Sequence, residues 1–279
     1  ALSPSAQSIA VCVCVGFDII SLLSRLALHV VIPAKAGIQF LCFSIAICLA
    51  IVESHAAENV IELGIFSKST PGGALPEGWQ PQTFKKIGKH TIYELIKDGD
   101  TTIVKASAKA SASGLTKPLD LDLKDFPILE WRWKVANVIA KGNPKSKAGD
   151  DYPARIYLTF KYDPTRVSAW QRTKYGLAKS LYGSYPPHAG INYIWEGKLA
   201  VGTVVPNAYT DRLRMIVVES GAAKLNEWQS YRRNVYEDYK QAFGEEPPKV
   251  SGIAIMTDTD NTGESATAFY GDIRLRKSE

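Results

Sequence analysis

The sequence predicts an antiparallel β-sandwich of jelly-roll type with two short helices. Three observations predict this fold: a strong hairpin signal, a series of short alternating runs, and helices that do not alternate with the strands. A parallel doubly wound sheet needs a repeated strand-helix-strand order, which this chain lacks. The composition, 46% hydrophobic and 22% charged over 279 residues, is that of a globular protein and excludes fibrous and disordered classes.

The hairpin lies in the segment TIYELIKDGDTTIVKAS, where two alternating runs, 91–97 and 101–107, flank Asp98-Gly99. Asp-Gly supplies the positive φ angles that a tight hairpin turn needs. Further runs are predicted as strands at 114–122, 128–136, 154–162, 191–195, 212–219, 252–257 and 266–275. The two-residue period gives two of them an apolar face, formed by Trp131, Trp133 and Val135 in one and by Ile156, Leu158 and Phe160 in the other.

Two helices are predicted between these strands. In the first, Thr165 is expected to cap the start and Gly183 to end it. Its apolar residues at helical spacing are Val167, Trp170, Leu177, Ala178 and Leu181. The second helix is expected to open at Asn234, with Glu237 three residues later, and to close at Gly244.

The N-terminal 57 residues differ from the rest and contain all four cysteines, Cys12, Cys14, Cys42 and Cys48. The uncharged apolar run 40–52, followed by small residues suited to cleavage after Ala56 or Ala57, predicts a signal peptide and a periplasmic or secreted protein. An uncleaved signal anchor is the alternative, but the run is short for the roughly 30 Å of a bilayer core. We therefore predict an extension and signal peptide over 1–57, a single domain over 58–279, and no stable membrane span after cleavage. Residues 1–34 are expected to lie outside the folded protein.

The absence of cysteine from the predicted domain excludes zinc fingers, thiol nucleophiles and redox motifs. The chain also has no G-x-S-x-G, H-E-x-x-H, P-loop or dinucleotide motif. His90 and His188 both lie in segments read as loops and are expected to be solvated rather than catalytic. The net charge of +5 is not organised as a nucleic-acid surface, because aromatic residues are not interleaved with arginines.

Two segments combine carboxylates, amides and aromatic rings in a way that suits glycan binding. Aromatic faces stack on sugar rings while Asp, Asn and Arg bond the hydroxyl groups. The predicted ligand contacts are Asp150, Asp151, Arg155, Asn192 and Trp195. The alternative is an ordinary core tryptophan beside a salt-bridged loop.

Paired carboxylates would point instead to a glycan hydrolase, which needs two such groups about 5–10 Å apart. Glu219, which closes an apolar strand, is the first candidate, with Asp150, Asp151 or Asp258 as its partner. The oxygen-rich segment 257–265 also suggests a calcium site through Asp258 and Asp260. A bare β-turn explains the same segment, because Asp and Asn bond their own backbone.

From 78 to 273 the chain resembles the bacterial domain-of-unknown-function family 3047. The resemblance rests on EWRWKV (130–135), GDDYPARIYLTF (149–160), YTDRLRMIVVESG (209–221), RNVYEDYKQAFGEEPP (233–248) and IAIMTDTDNTGESATAFYGDI (253–273). It implies an exported bacterial β-sandwich and no particular activity or functional residue.

The leading functional prediction is a non-catalytic, exported protein that binds carbohydrate or another cell-envelope ligand. The alternatives are the hydrolase and a structural or assembly module without a small ligand. No cofactor is predicted apart from calcium.

Overall fold

The computed structural model describes residues 59–182 and 185–278, in which two β-sheets pack face to face. The predicted signal peptide, its cysteines and Gly183 lie outside the described residues. The strands are β1 (Val60–Gly64), β2 (Gln80–Gln82), β3 (Ile92–Asp98), β4 (Thr101–Lys109), β5 (Ala112–Leu121), β6 (Ile128–Val135), β7 (Ala154–Phe160), β8 (Ala189–Glu196), β9 (Val204–Pro206), β10 (Leu213–Ser220), β11 (Gln229–Asn234), β12 (Val250–Asp258) and β13 (Ser265–Arg276). The helices are α1 (Ala169–Tyr182) and α2 (Val235–Phe243), with short 3-10 turns at Phe66–Lys68, Lys147–Gly149 and Pro164–Arg166.

The six-stranded sheet has the order β11-β6-β13-β4-β3, and β1 also pairs with β13. The seven-stranded sheet has the order β2-β5-β12-β7-β8-β10-β9. The chain passes repeatedly from one sheet to the other, as between β4 and β5 and between β12 and β13. The predicted β-sandwich is confirmed, and so is its hairpin, in which Asp98 pairs with Thr101 and Gly99 has φ +62°.

One pairing departs from the antiparallel expectation. Strands β8 and β10 run parallel, from Leu213 beside Gly190 to Ser220 beside Glu196. A parallel pair needs a crossover connection. The segment between these strands supplies it and adds β9, which pairs antiparallel with the outer side of β10.

All nine predicted strands are present, and four others were missed. Strands β2 and β9 have only three residues each and contain Pro81 and Pro206. Strand β11, with the sequence QSYRRN, has little apolar alternation because it is an edge strand whose outer face is polar. Such strands form because a neighbouring strand offers free backbone groups, which sequence pattern does not reveal.

The core lies between the sheets and is rich in aromatic rings. Trp131 and Trp133 of β6 are buried, as the alternation predicts. Trp131 stacks on Tyr193 of the opposite sheet and on Tyr231 of β11, with ring centroids 5.1 Å apart in both cases. These rings join the two sheets near one edge of the sandwich.

Helix α2 begins and ends as predicted. The Asn234 side chain accepts a hydrogen bond from the Glu237 amide at 3.1 Å, and Gly244 closes the helix with φ +74°. Tyr239 of α2 packs on Phe160 with ring centroids 4.5 Å apart. The helix therefore covers one end of the core.

Helix α1 differs from its prediction at its start. Thr165 does not cap it; Asp163 instead accepts hydrogen bonds from Thr165 within the preceding 3-10 turn. Ser168 and Gln171 form a reciprocal capping box that opens the helix. Within the described residues no helix has the length and apolar character of a membrane span.

His188, expected to be solvated, is buried immediately before β8, with 3% of its surface exposed. The backbone amide of His188 donates a hydrogen bond to the Phe160 carbonyl at 2.8 Å. The imidazole Nδ1 lies 3.4 Å from a guanidinium nitrogen of Arg212. Burial, helped by the Arg212 charge and opposed by Glu245, lowers the pKa of the His188 imidazole.

We expect the free energy of unfolding to fall as the pH drops below about 6.5, the ordinary histidine pKa. The unfolded chain then binds a proton that the folded protein binds only at lower pH, so acid favours unfolding until the folded-state pKa is passed. His188→Gln should flatten this part of the stability profile measured by urea unfolding. An unchanged slope between pH 7 and pH 5 would contradict the assignment.

Candidate functional site

Four carboxylates gather where β12 ends, and we call Asp150, Asp151, Asp258 and Asp260 the acidic cluster. Asp258 closes β12 and Asp260 lies in the turn that follows, while the other two follow the 3-10 turn Lys147–Gly149. Oxygen atoms of Asp151, Asp258 and Asp260 lie within 4.8 Å of one another. The segments 149–155 and 257–264 therefore meet at this cluster.

Arg155 is the cation of this cluster. Because its neighbours Ala154 and Ile156 face the core, alternation directs Arg155 to the outer face of the seven-stranded sheet. Its Nε donates to Asp258 Oδ1 at 2.8 Å, and a second guanidinium nitrogen pairs with Asp258 Oδ2. Both side chains are almost fully buried, so their pairing offsets a large desolvation cost.

The other two buried carboxylates of the cluster also have protein partners. Asp151 accepts from the backbone amides of Asn261 (3.2 Å) and Thr262 (2.6 Å) and from the Asn261 side chain. Asp150 accepts from the Asn207 amide at 2.9 and 3.1 Å. These bonds tie the loop before β7 to the turn after β12 and to the segment after β9.

Asp260 is the least satisfied member of the cluster. Burial, together with the negative charges of Asp151 and Asp150, raises the pKa of its carboxyl group. Tyr209 lies at the solvent side of the cluster and donates to Asn261 Oδ1 at 2.8 Å, with 56% of its own surface exposed.

The structure divides the five predicted ligand contacts between two faces of one sheet. Asn192 lies on the outer face with Arg155, since its neighbours Ile191 and Tyr193 belong to the core. Trp195 lies on the inner face with no exposed surface, and its indole donates to the Gly221 carbonyl at 3.0 Å. The prediction that Trp195 and Arg155 contact the same ligand is wrong, because Trp195 lies in the core and Arg155 faces outward.

The outer-face residues themselves are buried under loops. Asp150, Asp151, Arg155 and Asn192 each expose 5% or less of their surface. Neither amide atom of Asn192 makes a well-formed hydrogen bond to another described residue. Its polar neighbour is the Tyr157 hydroxyl, whose pKa is raised chiefly by burial, with Arg155 and Asn192 opposing the shift. This region behaves as a polar second core rather than as an open binding face.

Glu219 lies on the opposite side of the same sheet. It pairs in register with Trp195, and its carboxylate accepts from Lys224 Nζ (2.8 Å) and the Tyr231 hydroxyl (3.0 Å) of the facing sheet. Asp258 is three strands away, about 14 Å at the usual strand spacing, and on the outer face. Glu219 and the acidic cluster therefore do not face one cleft, as a hydrolase with paired carboxylates would require.

The predicted calcium site coincides with the acidic cluster, but most of the oxygens there are occupied. Both oxygens of Asp258 face Arg155, and both oxygens of Asp151 accept N–H groups. Calcium prefers six to eight oxygen ligands, so binding would have to displace these donors. Calcium stays a prediction, with Asp260 as the ligand least committed to the protein.

An open groove of about 460 Å³ lies instead on the outer face of the six-stranded sheet. It crosses the neighbouring strands β11, β6 and β13. Its lining is Glu130, Trp131, Arg132, Ser230, Tyr231, Arg232, Asp272 and Arg274.

Arg132 occupies the middle of this groove. Its side chain lies over Gly271, where an added Cβ would come within 2.5 Å of Arg132 Cγ and Nε. Its guanidinium stacks on the Trp228 ring, 4.6 Å from the centroid, and Lys134 approaches the same ring at 5.1 Å. A β-bulge in β13 at this glycine makes room for the side chain.

The acidic groups around the groove are paired with other residues. Glu130 pairs with Arg276 (2.5 Å) and Arg232 (3.4 Å). Asp272 accepts from Ser67 and Arg274. Asp98 bonds the Trp228 indole and Lys134, and these two donors hold the pKa of its carboxyl group below the usual value. Across residues 59–182 and 185–278, no carboxylate lies within ion-pair distance of Arg132.

Sequence reasoning missed the groove, although one signal for it was present. The alternation that directs Trp131 and Trp133 inward also directs Glu130, Arg132 and Lys134 outward. What the sequence did not show is that β11 and β13 flank this strand and bring Arg232 and Arg274 beside it.

The sequence profile of a family described as protein of unknown function (DUF3047) matches residues 77–274. The chain belongs to the DUF3047 family. The matched region of this DUF3047 protein includes both the acidic cluster and all residues of the groove. The comparison with curated proteins gave no significant match.

Several solved β-structures are distantly similar to this DUF3047 chain. The K2 cleaved adhesin domain of Lys-gingipain is 10% identical with a TM-score of 0.35, over 78% of this chain and 98% of that one. The xylan-binding module CBM15 is 10% identical with a TM-score of 0.32, over 79% and 98%. The CBM22-1 xylan-binding domain of Paenibacillus barcinonensis Xyn10C is 11% identical with a TM-score of 0.31, over 77% and 94%.

Arg155→Met should lower the free energy of unfolding of the DUF3047 domain by about 3–5 kcal/mol, because it leaves the buried Asp258 charge without its partner. The double variant Arg155→Met/Asp258→Leu removes both charges and should recover part of this loss. Urea unfolding of the three proteins measures both effects. Equal stability of wild type and Arg155→Met would contradict the role of Arg155 as counter-ion.

Asp260→Asn should stabilise the DUF3047 domain at neutral pH in the presence of a chelator, by less than about 1 kcal/mol because the group is partly exposed. The raised pKa means that the folded state disfavours the charged form, so the gain should disappear at acidic pH. Thermal melts at neutral and at acidic pH measure the change in stability, and Asp125→Asn, which replaces an exposed carboxylate, is the control. A calcium-dependent rise in the melting temperature that Asp260→Asn abolishes would show instead that the cluster holds the metal.

Proposed function

We propose that this protein is an exported, non-catalytic binding protein of the cell envelope whose groove on the six-stranded sheet binds an anionic saccharide. The observation that carries the proposal is Arg132, an arginine in an open groove with no carboxylate partner among the described residues. A guanidinium matches a carboxylate with two parallel hydrogen bonds, which makes an acidic sugar the fitting ligand.

The charge around the groove favours an anionic ligand. Three arginines line it, Arg132, Arg232 and Arg274, against two carboxylates, Glu130 and Asp272. Because both carboxylates already pair with arginines, a ligand carboxylate would add to the network without displacing it. A neutral sugar would leave the guanidinium of Arg132 without a charged partner.

The size and remaining groups of the groove suit a sugar unit. A volume of about 460 Å³ falls in the range of small-molecule sites. Ser230, on the edge strand, and the two carboxylates offer hydrogen bonds to hydroxyl groups. Trp228 is half-buried beside the groove and fixes Arg132 by stacking, so the guanidinium is held before a ligand arrives.

The acidic cluster has a structural role in this proposal and does not contact the ligand. Its hydrogen bonds join three loops on the other sheet and leave little exposed polar surface. Export, proposed from the N-terminal apolar run, agrees with an envelope glycan as the ligand. A purely structural module would need no such groove.

Arg132→Ala should weaken binding of a uronate-containing oligosaccharide at least about tenfold, since a charge-assisted pair contributes roughly 1.5–3 kcal/mol. Calorimetry with acidic and neutral oligosaccharides of equal length measures the difference, and high salt should weaken only the acidic ligand. Arg172→Ala, which removes an exposed arginine on α1, is the matched control.

Equal affinity for acidic and neutral oligosaccharides, or binding that Arg132→Ala leaves unchanged, would overturn the assignment of the groove. Binding that disappears in both Arg132→Ala and Arg172→Ala would indicate a general charge effect and would also count against it. Melting temperatures of the variants show whether each remains folded.

A further inference from the structure

Helix α1 presents large apolar side chains to solvent. Trp170 is 67% exposed and Leu177 is 63% exposed, whereas Val167, just before the helix, is buried. The sequence pattern led us to expect one apolar face for all of these residues; Ala178 and Leu181, which belong to the same pattern, lie outside the described side chains. Trp170 and Leu177 are seven residues apart, so they project from the same side of the helix.

The opposite side of α1 is fixed to the body of the protein. Tyr175 stacks on Tyr162 with ring centroids 4.1 Å apart, and its hydroxyl donates to the Pro187 carbonyl at 3.3 Å. Five residues along a helix correspond to a rotation of about 140°, so the Tyr175 side faces the body while Trp170 faces away. The exposed apolar pair is therefore a feature of the docked helix and not of a detached one.

The charges carried by helix α1 itself have one sign. Its residues 169–182 contain no Asp or Glu and include three cations, Arg172, Lys174 and Lys179. Arg166, just before the helix, is paired with Asp163. The Lys174 ammonium lies 5.2 Å from the Trp170 ring centroid, where its stem runs beside the apolar face. Lys179 likewise lies 4.6 Å from the ring of Tyr185, which is itself 44% exposed.

We propose that α1 docks this protein on the surface of an anionic phospholipid membrane. A helix with Trp and Leu on one face and Lys or Arg beside them lies in the headgroup region, with its apolar side chains inserted a few ångströms. Each cation near an anionic surface adds about 1 kcal/mol of attraction. A protein partner would be expected to match both signs of charge, but this segment offers only one.

The experiment uses the protein as cells produce it, with its N terminus determined by mass spectrometry. Hydrogen exchange of α1 within the whole protein is measured under three conditions: without vesicles, with phosphatidylglycerol-containing vesicles and with pure phosphatidylcholine vesicles. The expected result is slower exchange in 169–182 with the anionic vesicles only, reversed by high salt. Because the measurement is local to α1, binding through the N-terminal segment does not produce it.

Two variants test the side chains that are involved. Trp170→Ser/Leu177→Ser should weaken vesicle binding through α1 at least about tenfold, since it removes two large apolar groups that insert. Arg172→Gln/Lys179→Gln should weaken binding to anionic vesicles by about ten- to thirtyfold. The control Ile92→Ser/Val201→Ser removes two apolar side chains of similar exposure elsewhere, 61% and 60%, and should bind as wild type does.

Unchanged exchange of α1 with anionic vesicles would overturn the proposal, as would equal loss of binding in the control variant. Self-association lost in Trp170→Ser/Leu177→Ser, with no effect of vesicles on α1, would mean that a second copy covers this face. All four replaced apolar side chains are exposed, so the variants should melt at the wild-type temperature, which circular dichroism verifies.

Discussion

The alternation of strand β6 is the constraint on which the rest of the structure depends. Its odd-numbered residues Trp131 and Trp133 enter the core, where Trp131 stacks on Tyr193 of the opposite sheet. Its even-numbered residues Glu130 and Arg132 line the groove on the outer face. A shift of one residue in register would exchange these sets and bury a guanidinium among aromatic rings. The same strand therefore determines both the packing of the sandwich and the chemistry of its open face.

Two arginines show how surroundings separate a structural role from a proposed binding role. Arg155 is buried, paired with Asp258 through two contacts, and holds together loops that would otherwise repel one another. Arg132 lies in an open groove, stacked on Trp228 and without a carboxylate partner in the part of the chain that the structure describes. A buried charge without a partner is costly, whereas a half-exposed one remains available to a ligand. Membrane docking through α1, together with saccharide binding in the groove, would hold the protein beside polymers of the cell envelope.

Much of the fold could be predicted, and less of the site. Strong alternation and turn residues such as Asp98-Gly99 located nine strands, and Asn234 located the start of α2. The short strands β2 and β9 and the polar edge strand β11 had no such signal. Of the predicted ligand contacts, Asp150, Asp151 and Arg155 do converge, yet they are buried, and Trp195 lies on the other face of the sheet. Patterns of residue type do not report burial under loops that arrive from distant parts of the chain.

The sequence by itself determined the class of fold, the core-facing sides of β6 and β7 and the uniform positive charge of helix α1, because these follow from side-chain periodicity and composition. Only the tertiary structure decided which strands are neighbours. Strand pairing brings Arg132, Arg232 and Arg274 together on one face, and it places Arg155 where it forms an ion pair with Asp258. Strand pairing joins residues more than a hundred positions apart, as Arg132 and Gly271 illustrate. Local periodicity carries no information on such contacts, since it fixes the face of a strand and not its neighbour.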